Sequence, residues 1–341
     1  GERMDEWKRV RTGRAKIVVG TRSAVFAPVQ NLGLIVMDEE QESTYKSEST
    51  PRYHARDIAK FRVNYNRAYC LLCSATPSVE SYYMAQSGKY RYHALHHRYG
   101  DAVVPTVQLV DMNNEDLYRG KPMISMALAR AVSENIRAGR QSILLLNRRG
   151  YHTYAVCKDC KTVAACPNCS ISMTYHAANN RLMCHYCGHS EPAYVRCKAC
   201  GGELTFSGGG TQKAEDQLRE AFPEARILRV DTDTTANKYA LEKKLNAFVN
   251  GEYDIMIGTQ MVAKGLDFEN VTLVGVLSAD QSLYSDDYRS NERTFDLLTQ
   301  VVGRAGRGRY RGMALIQTHV PENPYLHLAA AQDYELSLIH I

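Results

Sequence analysis

Eight cysteines arranged as four Cys-x-x-Cys pairs constrain this 341-residue chain more than any other feature. They lie within 44 residues, and five, 14 and nine residues separate successive pairs. Two such pairs supply the four thiolates that Zn²⁺ prefers in a tetrahedral site. No basic and then apolar signal segment opens the chain, and disulfides are rare in cytosolic proteins, so zinc is favoured over a disulfide scaffold or a redox pair. We expect two bound Zn²⁺.

The spacing also predicts which pairs share a metal, although three pairings are possible. Five residues are too few to turn the first pair toward the second. The stretch "SISMTYHAANNRLM" between the second and third pairs predicts two strands joined by a turn at Asn179 and Asn180. One site, the inner site, would then consist of Cys166, Cys169, Cys184 and Cys187. The outer site would consist of Cys157, Cys160, Cys197 and Cys200.

Other sulfur and imidazole groups nearby are not expected to bind metal. Cys70 and Cys73 lie in the apolar run "AYCLLCSAT", which predicts a strand, and residues three apart on a strand point to opposite faces. His176, His185 and His189 are expected to be solvated or bonded locally, because eight cysteines already satisfy two ions.

Net charge does not identify the partner. The formal charge is +5, and eight thiolates with two Zn²⁺ together add four negative charges, which lowers it to +1. A polyanion would therefore have to bind local basic clusters. No apolar run approaches the roughly 18 residues of a membrane span, so we expect a soluble, cytoplasmic protein. A start at Gly1 and an end in "LSLIHI" without a helix cap predict a fragment of a longer chain.

Apolar runs alternate with amphipathic stretches along the chain. The runs "AKIVVG", "LGLIVMDEE", "AYCLLCSAT", "QSILLLNRRG", "ARILRV", "YDIMIG", "VTLVGVLSAD" and "GMALIQTHV" lack polar alternation and predict strands covered on both faces. The stretches "YHARDIAKFRVN", "ISMALARAVSENIRAG", "AEDQLREAF", "YALEKKLNAFVNG" and "NERTFDLLTQVV" have helical spacing. This alternation predicts an α/β fold with parallel sheets.

An acidic cluster follows one of the predicted strands. "LGLIVMDEEQ" places Asp38, Glu39 and Glu40 at the carboxyl end of a parallel strand, where open α/β sheets bind ligands. Such carboxylates could hold Mg²⁺ through water and orient an attacking water. Taken alone, the cluster fits an acidic loop that caps a helix equally well.

Five motifs in order resolve that choice. They are "VVGTRSAVFAP", "VMDEEQ", "CSATPS", "IGTQMVAKGLDF" and "QVVGRAGRG". The set resembles the superfamily-two helicases, which implies two RecA-like parallel-sheet motor domains and hydrolysis of ATP with Mg²⁺. The paired-cysteine insertion and "TYKSESTPRYHARDIA" make the chain similar to the bacterial replication-restart helicases. That resemblance implies a 3′-to-5′ DNA helicase that recognises stalled forks and initiates primosome assembly, with primosome proteins and single-stranded DNA-binding protein as partners.

The resemblance also implies roles for individual residues. Asp38 would associate with Mg²⁺ and Glu39 would activate water, while Ser74, Ala75 and Thr76 would couple DNA to nucleotide. The nucleotide side would include Gly265, Asp267 and Gln300. DNA contacts would come from Thr21, Arg22, Tyr45, Arg52, Tyr53, Thr259, Gln260 and Lys264. "NRRGY" (147–151) is either a DNA contact or a basic turn, and the tyrosines would either stack on bases or pack on the domain surface.

The arginine motif and two departures complete the comparison. Arg304 and Arg307 would contact the γ-phosphate of ATP, although a DNA-backbone patch is the alternative, and Arg309 would face solvent. Gln41 stands where the family usually has His, yet it can still bond to the coupling motif. No G-x-x-x-x-G-K-[ST] loop occurs, so we expect this chain to be inactive alone.

These features predict a domain order. Residues 1–95 would belong to the first motor domain, 96–122 to an interdomain segment, 151–202 to the zinc insertion, and 321–341 to the start of a further region. The second motor domain would comprise 123–150 and 203–320. Two rival functions remain open: a zinc-dependent nucleic-acid-binding module with an inactive motor, and a dithiol reductase.

Overall fold

The chain divides into two units, which span residues 1–95 and 96–341 and each contain a parallel sheet. The computed structural model describes residues 2–340 except 48, 96–103, 147–152, 161, 177–178, 185–186, 208–210, 231–237, 260–267, 285–286, 307 and 309. No helix within those described ranges combines the length and apolar character that a membrane span requires.

The first unit contains a two-stranded parallel sheet flanked by helices. Its elements are α1 (Glu2–Arg11), β1 (Leu34–Asp38), α2 (Ala55–Asn66), β2 (Tyr69–Cys73) and α3 (Val79–Gln86). β1 and β2 pair in register from Leu34 opposite Tyr69 to Asp38 opposite Cys73. One sheet face packs on α2 and on the 3-10 turn Arg22–Phe26, which buries Met37, Ala59 and Val25. On the opposite face Leu34, Val36, Tyr69 and Leu71 are exposed.

One predicted strand of this unit is wrong. The run Ala15–Gly20 forms no strand, and the side chains of Ile17 and Val19 are 85% and 94% exposed. An apolar run becomes a strand only where a neighbouring strand accepts its backbone hydrogen bonds, and no described strand pairs with this one.

The second unit is built on a six-stranded parallel sheet with the order β10-β11-β4-β12-β13-β3. Its strands are β3 (Thr106–Asp111), β4 (Gln141–Leu146), β10 (Ile227–Val230), β11 (Ile255–Gly258), β12 (Val271–Ser278) and β13 (Met313–Thr318). Its helices are α4 (Met126–Arg137), α5 (Thr211–Ala221), α6 (Lys238–Val249), α7 (Asp280–Leu283), α8 (Ser290–Val302), α9 (Pro324–Ala331) and α10 (Tyr334–His340).

The central strand shows why this sheet forms. Every residue of β4 is buried, because helices cover both faces. Ile143 and Leu145 pack in one core with Phe248 and Phe295. Leu144 and Leu146 pack in the other core with Leu128 of α4. Strands covered on both faces read as continuous apolar runs, as the sequence predicted.

The edge strand β3 was not predicted. The sequence placed residues 106–111 in an irregular interdomain segment, yet β3 pairs in parallel with β13 from Thr106 opposite Met313 to Asp111 opposite Thr318. Its "TVQLVD" pattern mixes polar and apolar residues, because β3 lies at the edge of the sheet, where burial is incomplete.

The cysteine-rich insertion forms an antiparallel sheet of five short strands between β4 and α5. The strands are β5 (Thr153–Cys157), β6 (Thr174–His176), β7 (Arg181–Met183), β8 (Ser190–Pro192) and β9 (Leu204–Ser207), in the order β8-β7-β6-β5-β9. Within the insertion the sequence predicted only the two strands around Asn179 and Asn180, and it placed the return to the motor domain at residue 203. β9 instead pairs with β5, so the insertion sheet extends to Ser207. Strands of three to five residues are too short to display an alternating pattern.

Candidate functional site

The eight cysteines of the insertion gather into two groups of four. Within each group the sulfur atoms lie within 4.8 Å of one another. The inner site contains Cys166, Cys169, Cys184 and Cys187, and the outer site contains Cys157, Cys160, Cys197 and Cys200. This grouping agrees with the pairing that the spacing predicted. The predicted turn also forms, because β6 and β7 pair around Asn180, which adopts a left-handed φ of 51°.

All four Cys-x-x-Cys pairs share one backbone structure. The N–H of the first cysteine donates to the carbonyl five residues later, at 3.0 Å for Cys157, 2.7 Å for Cys166, 2.8 Å for Cys184 and 2.7 Å for Cys197. The residue after the second cysteine is left-handed in three pairs, with φ of 58° at Ser170, 76° at Gly188 and 78° at Gly201. The first cysteine of each pair is buried, and the second is exposed or half-buried. This turn points both sulfur atoms to one side, as a metal site requires.

The sulfur geometry fits Zn²⁺. The sulfur atoms are 3.5 Å apart in Cys157 and Cys200, 3.6 Å in Cys160 and Cys197, and 3.6 Å in Cys166 and Cys187. Four thiolates about 2.3 Å from a tetrahedral Zn²⁺ lie about 3.8 Å apart, so small adjustments would complete either site. All eight cysteines are free thiols rather than disulfides. The insertion is therefore a zinc-binding domain with two Cys₄ groups.

The thiol pKa values show why each group needs a cation. In the inner site the backbone N–H of His189 lowers the pKa of Cys187 to about 6, whereas hydrogen bonding to Cys187 raises the pKa of Cys169 to about 12. In the outer site a threonine hydroxyl lowers the pKa of Cys160 to about 6. A backbone N–H favours the Cys200 thiolate, but bonds to neighbouring thiols outweigh it and raise the pKa to about 12. Without a cation, clustered thiols resist ionising together, and a bound Zn²⁺ removes that penalty.

The acid box lies at the carboxyl end of β1. Asp38 is exposed, and its Oδ1 accepts a hydrogen bond from the Glu39 N–H at 3.1 Å. Glu39 adopts a left-handed φ of 48°, which turns the chain sharply after the strand. The Tyr45 hydroxyl donates to the Asp38 carbonyl at 2.8 Å. The predicted aromatic loop is thus bonded directly to the predicted acid.

A chain of hydrogen bonds joins the acid box to the Ser-Ala-Thr motif. Gln41 Nε2 donates to Glu39 Oε2 at 2.7 Å, and Gln41 Oε1 accepts from the Ser74 hydroxyl at 2.6 Å. The Ser74 hydroxyl in turn accepts from the Thr76 N–H at 2.9 Å. Gln41 therefore makes the contact to the coupling motif that its position predicted.

Glu40 belongs to a separate buried network that sequence reasoning missed. Its side chain is 1% exposed and pairs with Arg56 Nη1 of α2 at 2.9 Å. Its carboxylate also accepts from the Ser78 N–H at 2.7 Å and from the Ser81 hydroxyl at 3.0 Å. Glu40 therefore fastens the end of β1 to α2 and to the start of α3. The partners lie 16 to 41 residues away, so no local motif could indicate them.

Arg22, a predicted DNA contact, is bonded within its own unit. Its guanidinium donates to the carbonyls of Thr44 at 2.9 Å and Lys46 at 2.5 Å, and lies 5.7 Å from the centre of the Tyr53 ring. The Tyr53 ring also packs edge-on against Phe26 at 5.0 Å. Tyr45 and Tyr53 are half-buried, whereas Thr21 and Arg52 are exposed. The Thr-Arg loop and the aromatic loop thus form one assembly.

The arginine motif follows α8 as a tightly packed loop. Gln300 and Arg304 are half-buried, and the Arg304 N–H donates to the Val301 carbonyl at 3.0 Å. Gly306 has a φ of 73°, and a Cβ there would lie 2.8 Å from the Gly312 Cα. Glycine at 306 therefore allows two backbone segments to touch.

Several predicted residues lie outside the described ranges. These are Arg307, Arg309, Gln260, Lys264, Gly265, Asp267 and the 147–151 segment. Thr259, which directly follows β11, is described and half-buried.

Residues 166–192 match the family model of the PriA DNA helicase Cys-rich region domain, and residues 204–309 match that of the helicase conserved C-terminal domain. Together with the parallel sheet and the two Cys₄ groups, these matches define the class as a zinc-containing helicase. The chain belongs to the family of the replication restart protein PriA. It is 49% identical to that protein of Bacillus subtilis over 100% of this chain and 42% of the relative. It is 43% identical to the same protein of Chlamydia trachomatis over 98% of this chain and 45% of that relative.

The chain thus spans less than half the length of these two relatives. Among solved structures, the match to RecG bound to a three-way DNA junction covers 98% of this chain and 34% of the RecG chain, with 14% identity and a TM-score of 0.49.

Proposed function

We propose that the protein containing this chain is an ATP-driven 3′-to-5′ DNA helicase that recognises stalled forks and initiates primosome assembly. The observation that supports this most directly is the hydrogen-bond chain from Glu39 through Gln41 and Ser74 to Thr76. It physically connects the residue proposed to activate water with the motif proposed to couple DNA to nucleotide. The names of the relatives, all replication restart proteins, support the biological setting.

The acidic residues have distinct roles in this proposal. When bound, ATP supplies the phosphoanhydride, and Mg²⁺ supplies positive charge that balances the negative charge of the phosphate oxygens. The exposed Asp38 carboxylate would associate with the metal through water, and Glu39 would orient the attacking water and accept its proton. Gln41 holds the Glu39 carboxylate in one orientation at 2.7 Å. The phosphate-cradling sequence is absent from this chain, so turnover requires sequence beyond it.

The arginine motif is also proposed to contact the nucleotide. Arg304 and Arg307 are proposed to contact the γ-phosphate, because a planar and permanently charged guanidinium matches phosphate oxygens. Gln300, Gly265 and Asp267 would lie on the nucleotide side. Glycine packing at position 306 supports this role, since it fixes the loop that carries Arg304.

The DNA path is proposed to run over the residues that the helicase motifs indicate. Tyr45, Arg52 and Tyr53 would offer a surface on which bases of any sequence could stack. Because the Tyr45 hydroxyl bonds to the Asp38 carbonyl, a movement of that loop would reach the acid box directly. Thr21, Thr259, Gln260 and Lys264 would contact the backbone. Primosome proteins and single-stranded DNA-binding protein are the proposed protein partners.

ATP hydrolysis by the full-length protein tests the proposal. We expect hydrolysis that single-stranded DNA stimulates and unwinding of 3′-tailed rather than 5′-tailed duplexes. Glu39→Gln should reduce turnover by about 10²–10⁴-fold while DNA binding is retained. Glu224→Gln, the same change at an exposed position, is the matched control. DNA binding without any ATP turnover by the unmodified protein would instead favour the nucleic-acid-binding module.

A further inference from the structure

Five cationic side chains begin in the second half of α1 and continue past its end. They are Lys8, Arg9, Arg11, Arg14 and Lys16, and all five are exposed. No acidic residue interrupts residues 8–16, so this nine-residue segment carries five positive charges, as many as the net formal charge of the whole chain. A local cluster of this kind is what a nearly neutral protein needs to bind a polyanion.

Most of these charges are available to a ligand. Arg9 pairs with Glu6 at 2.8 Å. No carboxylate among the described residues forms an ion pair with Lys8, Arg11, Arg14 or Lys16. A merely solvated surface in a stable protein usually interleaves both signs of charge, whereas residues 8–16 carry only positive charges and the acids Asp5 and Glu6 lie one helical turn earlier.

The segment is held in place despite its exposure. Val10 is buried and attaches α1 to its unit. The helix ends where Gly13 adopts a φ of 74°, and the side chain of Gln30 donates to the Arg11 carbonyl at 2.7 Å. The Thr12 hydroxyl bonds to the Lys8 carbonyl at 2.9 Å. These contacts fix the backbone that carries the cations, so little backbone conformational freedom would be lost on binding.

An aromatic ring lies among the cations. Trp7 is 40% exposed, and the Arg11 guanidinium lies 5.1 Å from the centre of its ring. Aromatic rings and guanidinium planes are the groups on which unpaired bases stack. Besides the buried Val10, the described residues of α1 offer only Met4 and Trp7 as large apolar side chains, which is too narrow a face for insertion into a lipid surface.

We propose that residues 7–16, the α1 basic surface, bind the phosphate backbone of single-stranded DNA without sequence preference. This inference rests on the proposed helicase function and assigns the first unit a contact that the helicase motifs do not include. Arg22, the motif cation nearest in sequence, donates to two carbonyls of its own unit. Lys8, Arg11, Arg14 and Lys16 are the cations that this surface offers to phosphates.

The salt dependence of DNA binding tests the surface. The 341-residue zinc-loaded chain would be titrated with a labelled oligothymidylate of about 20 nucleotides, with anisotropy as the readout. The variant Arg11→Ala/Arg14→Ala/Lys16→Ala should lose about two units of the slope of log affinity against log salt, at about 0.7 per lost contact. Between about 50 and 200 mM salt, the unmodified chain should therefore lose about 18-fold more affinity than the variant.

Two further variants exclude trivial explanations. Arg130→Ala/Arg137→Ala/Lys243→Ala removes the same charge from exposed positions of α4 and α6 and should keep the slope. The variant Arg11→Lys/Arg14→Lys keeps the charge and should also keep the slope. Trp7 is the only tryptophan of the chain, so DNA bound at the surface should change its fluorescence in parallel with anisotropy.

Three results would overturn the proposal: an unchanged slope in the triple variant, an equal loss in the control, or anisotropy change without any response of Trp7. Binding to phosphatidylserine vesicles in place of DNA would also overturn it. The helicase function is tested separately, by the DNA-stimulated ATP turnover of the full-length protein.

Discussion

Three consecutive carboxylates, Asp38, Glu39 and Glu40, have three different surroundings. Asp38 is exposed at the strand end, Glu39 bonds to the Gln41 amide, and Glu40 is buried against Arg56. Surroundings rather than residue type therefore separate chemical roles from a structural one. Asp38 and Glu39 are proposed to serve the nucleotide, whereas Glu40 joins β1 to α2 and to the start of α3.

Removing the partner of Glu40 should destabilise the first unit strongly. Arg56→Ala leaves a buried carboxylate without its cation, and such losses cost about 3–5 kcal/mol. The free energy of unfolding, measured by urea titration, checks this value. Lys60→Ala is the control, because the exposed Lys60–Asp57 pair at 3.9 Å should contribute at most about 1 kcal/mol. Equal effects of the two substitutions would contradict the structural role given to Glu40.

His54 should make stability depend on pH. Its Nδ1 accepts the Arg56 N–H at 3.2 Å and caps α2, which only the neutral ring can do. Burial lowers the pKa of His54 below its usual 6.5, and Arg56 lowers it further, while Asp57 and Glu40 act less strongly in the opposite direction. The folded state thus binds the proton more weakly than the unfolded state. The cap therefore contributes fully above about pH 6.5 and less as pH falls.

Comparison with His54→Asn isolates this effect, because Asn caps a helix without titrating. As pH falls below about 6.5, the unmodified protein should lose unfolding free energy relative to the His54→Asn variant. A difference that stays constant from about pH 5 to 8 would show that the cap does not respond to protonation.

At the scale of elements, the insertion sheet depends on its metals. Its strands have three to five residues, and its buried core is small, with Ala155, Met173 and Leu182 among its members. Such strands cannot bury enough apolar surface to stabilise themselves, so the free energy of metal binding has to supply the difference.

Chelation at neutral pH should therefore unfold the insertion but not the motor sheet. Elemental analysis should find about two Zn²⁺ per folded chain and none after treatment with a strong chelator. Hydrogen exchange should then accelerate in β5 to β9, whereas β4 and β12, which are buried almost throughout, should stay protected. Two intact sites are excluded if the reduced protein binds one metal or none.

Among the strands that the sequence predicted correctly, three are buried almost throughout. β4, β11 and β12 lie between two helix layers, so their composition alone identifies them. Ala15–Gly20 has a similar composition, but no strand in the described part of the chain pairs with it. β3 and β9 lie at sheet edges, where polar residues are tolerated and the pattern fades. Pairing partners, which local sequence does not contain, decide these three cases.

For the whole molecule, the predictable part of the site is the part encoded by spacing. The Cys-x-x-Cys turn needs only six residues, so its geometry could be derived for both metal groups. The Glu40–Arg56 network and the bonds of Arg22 join residues 16 to 41 positions apart through the tertiary fold. No periodicity marks such contacts, and only the assembled unit reveals them.

The nesting of the two Cys₄ groups has a consequence for the order in which the insertion assembles. The inner site closes a gap of 14 residues, whereas the outer site by itself would close a gap of 36. The longer closure costs about 0.8 kcal/mol more in chain entropy. Once the inner metal is bound, only five and nine residues connect that site to the two halves of the outer one. A zinc-starved chain should therefore fill the inner site first, and that first ion should make capture of the second easier.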